Sequence, residues 1–172
     1  MSRDRVLVAG LGNIFLGDDG FGVEVVRRLA LEPKTEGVRV EDFGIRGMHL
    51  AYELMGGAYE TAILVDATSR GGAAGTLYVI EPEVGATRLL SDEIPADAHA
   101  MSPDAVLRWL RNLGGEPPRL LVVGCEPASL EEEMGLSEPV SRAVDEAVSV
   151  VKRLASEETK GLNDSGRTGG ER

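Results

Sequence analysis

A short apolar run, Val6 to Ala9, passes directly into the loop Gly10-Leu11-Gly12-Asn13-Ile14-Phe15-Leu16-Gly17-Asp18-Asp19-Gly20-Phe21-Gly22. The loop opens into Val23 to Leu31, where apolar positions recur at helical spacing. A buried strand, a glycine turn and an amphipathic helix in immediate succession make a β–α unit. Glycines at such a turn allow positive φ and close approach of the backbone to a partner. Phosphate-binding loops of this shape are kept free of acid, because their ligand is an anion. Here Asp18 and Asp19 stand side by side, so the loop suits a cation or an acid–base task.

The rest of the chain repeats the alternation. Strands are expected at Gly37–Glu41, Thr61–Val65, Thr76–Ile80 and Arg119–Val123, with helices near Phe21–Ala30, Gly47–Met55, Ser102–Leu113 and Glu138–Ala155. The nearly all-apolar third strand reads as buried on both faces. Ser102-Pro103-Asp104 has the form of a helix start, Ser as N-cap and Pro at the first helical position. Alternating strands and helices imply a single-domain, three-layer α/β/α fold with a mostly parallel five-stranded sheet. The folded domain is expected to span residues 1–155. Residues 156–172, rich in Gly, Ser, Asn and charge, are expected to form a disordered polar tail.

With 172 residues, one compact domain with a sizeable core is expected. A formal charge of -11 argues against nucleic acid or anionic lipid as the main partner. No apolar run reaches membrane-spanning length, and no apolar segment of signal-peptide type follows Met1. A single cysteine forms no internal disulfide, which fits a reducing compartment. A cytoplasmic protein is expected.

In open α/β sheets, functional groups gather beyond the carboxyl ends of the strands. Asp19 lies in the loop after the first strand, Asp66 directly after the third, and His99 in the long Pro82–Met101 connection. Two carboxylates and an imidazole at one sheet edge suit a borderline divalent ion such as zinc, nickel or iron. Rival chemistries meet specific obstacles. A dinucleotide fingerprint needs a third glycine where Phe15 stands, although Asp42 at the end of strand two mimics a ribose-binding acid. No Gly-Lys-Ser/Thr is present for a phosphate loop, and no His-Glu-x-x-His for a zincin. Cys125 has no basic neighbour in sequence to lower its pKa and reads as an inert buried thiol. His49 reads as a surface residue and Trp109 as core.

Taken in order, Gly10-x-Gly12-Asn13-x4-Asp18-Asp19-Gly20-x-Gly22, Asp42-Phe43-Gly44-Ile45-Arg46-Gly47-Met48, Val65-Asp66-Ala67, His99 and Val123-Gly124-Cys125-Glu126-Pro127 resemble the nickel–iron hydrogenase maturation endopeptidases. The resemblance covers about Val6 to Leu154. It implies an endopeptidase that removes a C-terminal extension from a hydrogenase large-subunit precursor after nickel insertion. It further implies that nickel supplied by the substrate is the recognition element, with no permanent cofactor. By the same resemblance, Asp19 and Asp66 are the catalytic acids, Asp19, Asp66 and His99 the metal contacts, and Asp42, Gly44 and Gly47 a substrate-recognition segment. One departure is visible: the family often carries Asp-Gly-Gly-Thr where this chain reads Asp42-Phe43-Gly44-Ile45. A non-cleaving, metal-sensing maturation chaperone and a nucleotide-binding regulator are the alternative classes.

Overall fold

Five strands form one sheet in the order β2-β1-β3-β5-β4, where β1 is Val6–Leu11, β2 Val38–Gly44, β3 Thr61–Ala67, β4 Leu77–Ile80 and β5 Arg119–Cys125. Strands β1, β2, β3 and β5 run parallel, and β4 pairs antiparallel with β5 at one edge. The computed structural model describes residues 3–82, 102–114 and 116–167.

The period-2 alternation of the central strands sends successive side chains to opposite faces. On one face Val6, Val8, Ile63, Val65, Leu121 and Val123 meet α1 (Phe21–Ala30) and α4 (Glu138–Arg167). On the other, Leu7, Ala9, Leu11, Ala62, Leu64, Leu120 and Val122 meet α2 (Gly47–Met55) and α3 (Pro103–Leu113). Two helices per face complete the three expected layers. Helix α3 begins as its sequence indicates, with the Ser102 hydroxyl accepting from the Ala105 amide at 3.2 Å. It ends where Gly114 turns left-handed at φ 76°.

Two boundaries differ from the sequence reading. Asp66 and Ala67 belong to β3 rather than following it, because β5 continues the ladder opposite them, Asp66 to Gly124 and Ala67 to Cys125. Helix α4 does not end near Ala155, and residues 156–167 are helical rather than disordered. Val151, Ala155, Glu158 and Leu162 fall at i, i+4, i+7 and i+11, and this stripe stays against the sheet. Ala155 is buried and Leu162 packs on the core. Glu158 accepts from the buried Thr61 hydroxyl at 2.9 Å and from Arg119 at 2.7 Å. A helical stripe carrying a carboxylate among few apolar residues does not stand out from composition.

Strand β1 lies between β2 and β3, so the chain leaves β1 over one face through α1 and returns to β3 over the other through α2. The strand order reverses here, and the loops that follow β1 and β3 diverge. A crevice opens beyond carboxyl ends at such a switch point.

Candidate active site

Asp19 sits in a single 3-10 turn, Gly17–Gly20, that bridges β1 and α1. Its Oδ2 accepts from the Asn13 amide at 2.8 Å, which holds the half-buried side chain back against its own loop. Gly12 supplies the room. Its φ is +127°, and a Cβ there would lie 1.8 Å from the Asp19 carbonyl oxygen and 3.4 Å from Asp66 Oδ1. Only a residue without a side chain lets the first loop fold down between the two acids. Gly22 does the same one turn later: a Cβ would meet the Val65 carbonyl oxygen at 2.0 Å and that of Leu11 at 2.5 Å, so α1 starts directly on the strand ends.

Asp66, at the last turn of the pleat in β3, is 4% exposed and accepts from the Ala67 amide at 2.8 Å. Burial, and then the negative charge of Asp19 nearby, push its carboxyl well above the usual carboxylate range. The two acids thus share one edge under unlike conditions, Asp66 dry and proton-retaining, Asp19 closer to solvent. His99 lies outside the described residues. Among the described residues no third metal-ligating side chain joins the pair.

The neighbouring carboxylate has a different task. Asp18 is 1% exposed and accepts from the amides of Ala128 at 2.7 Å, Ser129 at 3.1 Å and Ser137 at 2.7 Å, and from the Ser137 hydroxyl at 2.8 Å. Burial raises its pKa, but these bonds outweigh it and hold the carboxyl below the ordinary value of 3.8. Asp18 therefore staples the first loop to the segment between β5 and α4. The adjacency of two acids in one 3-10 turn was the available signal: at about three residues per turn, neighbours point to different sides, so only one can face the crevice.

The amides of this loop are used internally. Gly12 donates to the Gly44 carbonyl at 3.0 Å, Leu16 to Asn13, Gly17 to Glu133, Asp18 to Ser129 and Asp19 to Leu16. Phe15 donates to the Asn13 side chain at 2.9 Å. A phosphate cradle needs such amides converging on an empty site. Here they are committed to the protein, which removes the physical basis of the nucleotide reading.

On the other side of the crevice, the pairing of β1 with β2 slips by one residue, from Gly10–Asp42 to Leu11–Gly44. Phe43 is skipped and turns into the core, fully buried. Asp42 and Gly44 stay at the crevice, while Gly47 is buried at the start of α2. Gly12, Asn13, Ile14, Phe15, Val23, Arg27, Asp42, Gly44 and Ile45 line a shallow cleft of about 220 Å³. Sequence reasoning did not single out Arg27; a cation on the third turn-face position of α1 acquires meaning only once β2 lies beside it.

Cys125 is fully buried, and burial, with Asp18 and Glu126 nearby, pushes its thiol up to about 11. It is no nucleophile at neutral pH. Glu126, 6% exposed, accepts from the amides of Arg70 at 2.8 Å and Gly71 at 3.1 Å and from the Tyr78 hydroxyl at 2.9 Å. Those bonds, the Arg70 amide first, hold its carboxyl below its usual range, and they clamp the glycine-rich loop that follows Asp66. His49 is exposed on α2 with its ring 6.1 Å from that of Phe43, and Trp109 is partly buried against the core.

An open α/β sheet with two carboxylates of unlike burial at its switch point defines a small α/β protein with an acidic site, and comparison with known proteins makes this specific. A family model described as hydrogenase maturation protease matches residues 23–154. A putative hydrogenase maturation protease of Methanocaldococcus jannaschii is 32% identical over 160 residues, covering 88% of this chain and 96% of its relative. The hydrogenase 2 maturation protease of Escherichia coli is 33% identical over 157 residues, covering 86% and 88%. Among solved structures, the hydrogenase maturating endopeptidase HybD from E. coli superposes with a TM-score of 0.73 at 32% identity, over 90% of this chain and 93% of that one. The chain belongs to the hydrogenase maturation protease family. It is a peptide-bond hydrolase of the endopeptidase type. No helix among the described residues is long and apolar enough to cross a membrane.

Proposed function

We propose that this endopeptidase removes the C-terminal extension of a nickel–iron hydrogenase large-subunit precursor once nickel has been inserted. Nickel arrives with the substrate and is the feature by which the mature precursor is recognised. The observation that supports this reading is the pair Asp19 and Asp66 on either side of Gly12, at the edge where the strand order reverses.

The chemistry of the pair suits a cation brought from outside. Two carboxyls at one edge, one of them buried, form an incomplete site: with no positive charge present, burial and repulsion work against ionisation of Asp66. A divalent ion supplies the missing charge and makes both carboxylates favourable ligands, with His99 as the third. Two acids from separate loops bind a free ion weakly. They add to the ligands of an ion that the precursor already holds. A precursor without nickel forfeits those contacts, each charge-assisted contact contributing about 1.5–3 kcal/mol, so two lost contacts weaken binding by about a hundredfold or more.

Hydrolysis itself adds one water across the scissile peptide bond. The water oxygen attacks the carbonyl carbon, one water proton passes to a base, and the departing amine takes up a proton as the C–N bond breaks. Asp19, the more solvated of the two acids, accepts the water proton in this reading. Nickel-loaded and nickel-free precursor, treated with one enzyme preparation and followed by mass, test the reading. A single cleavage confined to the loaded precursor is expected. Equal cleavage of both overturns the role of nickel, and an intact loaded precursor overturns the protease assignment of the site.

A further inference from the structure

The cleft beside Asp19 carries features that the acid pair does not use. Its floor is bare backbone, where Gly12 donates to the carbonyl of Gly44 at 3.0 Å. Its walls are Phe15 and Ile45, 60% and 58% exposed, two large apolar side chains on separate loops. At about 220 Å³ it is smaller than the roughly 300–1,000 Å³ of small-molecule pockets, and fits one or two residues of an extended peptide.

Its far end is cationic within an acidic chain. Arg27 Nε lies 3.6 Å from Asp42 Oδ2, an ion pair beyond hydrogen-bond length, with both side chains partly exposed. Among the described residues the Arg27 guanidinium donates no hydrogen bond, so its planar fork of N–H groups stays available. Arg46 Nη2 donates to the Asp42 carbonyl at 2.6 Å and its guanidinium lies over the Phe43 ring. One guanidinium thus faces the Asp42 carboxylate and another is bound to the Asp42 main chain, so two cations stand beside one acid at this end of the cleft, on a chain of net charge -11. A guanidinium fork matches a carboxylate in a bidentate geometry that an ammonium does not reproduce.

We propose that this cleft is the peptide subsite of the protease and that Arg27 is its specificity-determining residue, selecting a precursor segment that presents a carboxylate next to an apolar side chain. The apolar side chain lies between Phe15 and Ile45, the peptide main chain runs over the glycine floor, and the carboxylate pairs with Arg27. This rests on the precursor-processing reading above. The carboxylate is supplied either by an Asp or Glu side chain or by the end of the precursor chain.

The test is steady-state processing of nickel-loaded precursor by wild type, Arg27→Ala and Arg27→Lys, with thermal midpoints as the check on folding. Arg27→Ala is expected to raise KM about tenfold with kcat within twofold, since it removes one charge-assisted binding contact and none of the groups assigned to the chemistry. Arg27→Lys is expected to restore only part of the loss. Asp or Glu to Asn or Gln changes in the precursor flanking the cut identify a side-chain carboxylate by reproducing the KM rise. A single glycine appended to the precursor identifies the chain end by the same effect. Arg27→Glu with a lysine at the identified position should recover KM. An unchanged KM in Arg27→Ala, or a loss confined to kcat, overturns the proposal while leaving the protease reading intact. No cleavage by wild type of either precursor overturns that reading and this proposal with it.

Discussion

Replacing Asp18 by asparagine keeps the size of the side chain and removes the charge that joins the first loop to the segment before α4. One amide oxygen still accepts from Ser137. The NH2 group then occupies the place of Oδ2, which accepts from the Ala128 and Ser129 amides and the Ser137 hydroxyl. The hydroxyl can rotate to accept, but two backbone donors then face a donor. A buried donor left unsatisfied costs about 1–3 kcal/mol, and these amides are only partly buried, so the low end applies to each and the sum is about 2 kcal/mol. In a chain of this size that lowers the thermal midpoint by about 4–8 °C. The pH dependence supplies an independent check. The folded-state pKa of Asp18 lies below its ordinary value of 3.8, so its stabilisation is complete above that value and is lost as pH falls through the lower folded value. The gap between wild type and Asp18→Asn, measured by circular dichroism melts, should be constant from about pH 5 to 8 and close under stronger acid. A variant that melts within a degree of wild type at pH 7, or a gap that persists in acid, would refute the staple.

Asp66→Asn is expected to abolish processing yet raise the thermal midpoint at pH 7. Its folded pKa lies above the unfolded one, so the wild-type group stabilises most in acid and loses that contribution as pH rises, whereas a neutral amide does not ionise. Paired melts and mass assays read both effects, and a lower midpoint at pH 7 counts against the burial argument. Asp19→Asn should stop processing of nickel-loaded precursor while leaving the melt near that of wild type, since the Asp19 side chain is half-buried in a loop, lies outside the core, and an asparagine oxygen can still accept from the Asn13 amide. Cys125→Ser should keep processing activity, and in wild type the thiol should resist alkylation until the chain unfolds: with a pKa of about 11, about one thiol in a thousand is ionised at pH 8, and the sulfur is buried. Deleting residues 156–172 should lower the midpoint by several degrees, because Thr61 loses the Glu158 carboxylate and its buried hydroxyl is left without that acceptor, at a cost of about 2 kcal/mol; an unchanged melt would show that the end of α4 contributes nothing.

Much of the architecture was written into local pattern. Alternation along Val6–Leu11 and Thr61–Ala67 fixes which side chains face each helical layer, and the glycine loop after β1 fixes a β–α turn. Ser102 and Pro103 mark a helix start whatever lies around it. These are short-range consequences of backbone geometry, and a sequence carries them without its neighbours. Asp19 and Asp66 were legible as site candidates for a related reason: strand ends in a parallel sheet all point one way, so one acid just beyond a strand and another within the last residues of its neighbour meet at one edge. The roles of the remaining polar groups depended on distant partners. Asp18 looked like a second site acid until the amides of Ala128, Ser129 and Ser137, more than a hundred positions away, were seen around it. Arg27 is one surface cation among many until β2 brings Asp42 beside it. The polar end of the chain becomes helix because Thr61 and Arg119 meet Glu158 on the sheet. A charge or a hydrogen-bonding group takes its function from what surrounds it, through desolvation and paired donors. Those surroundings exist only after the chain has folded.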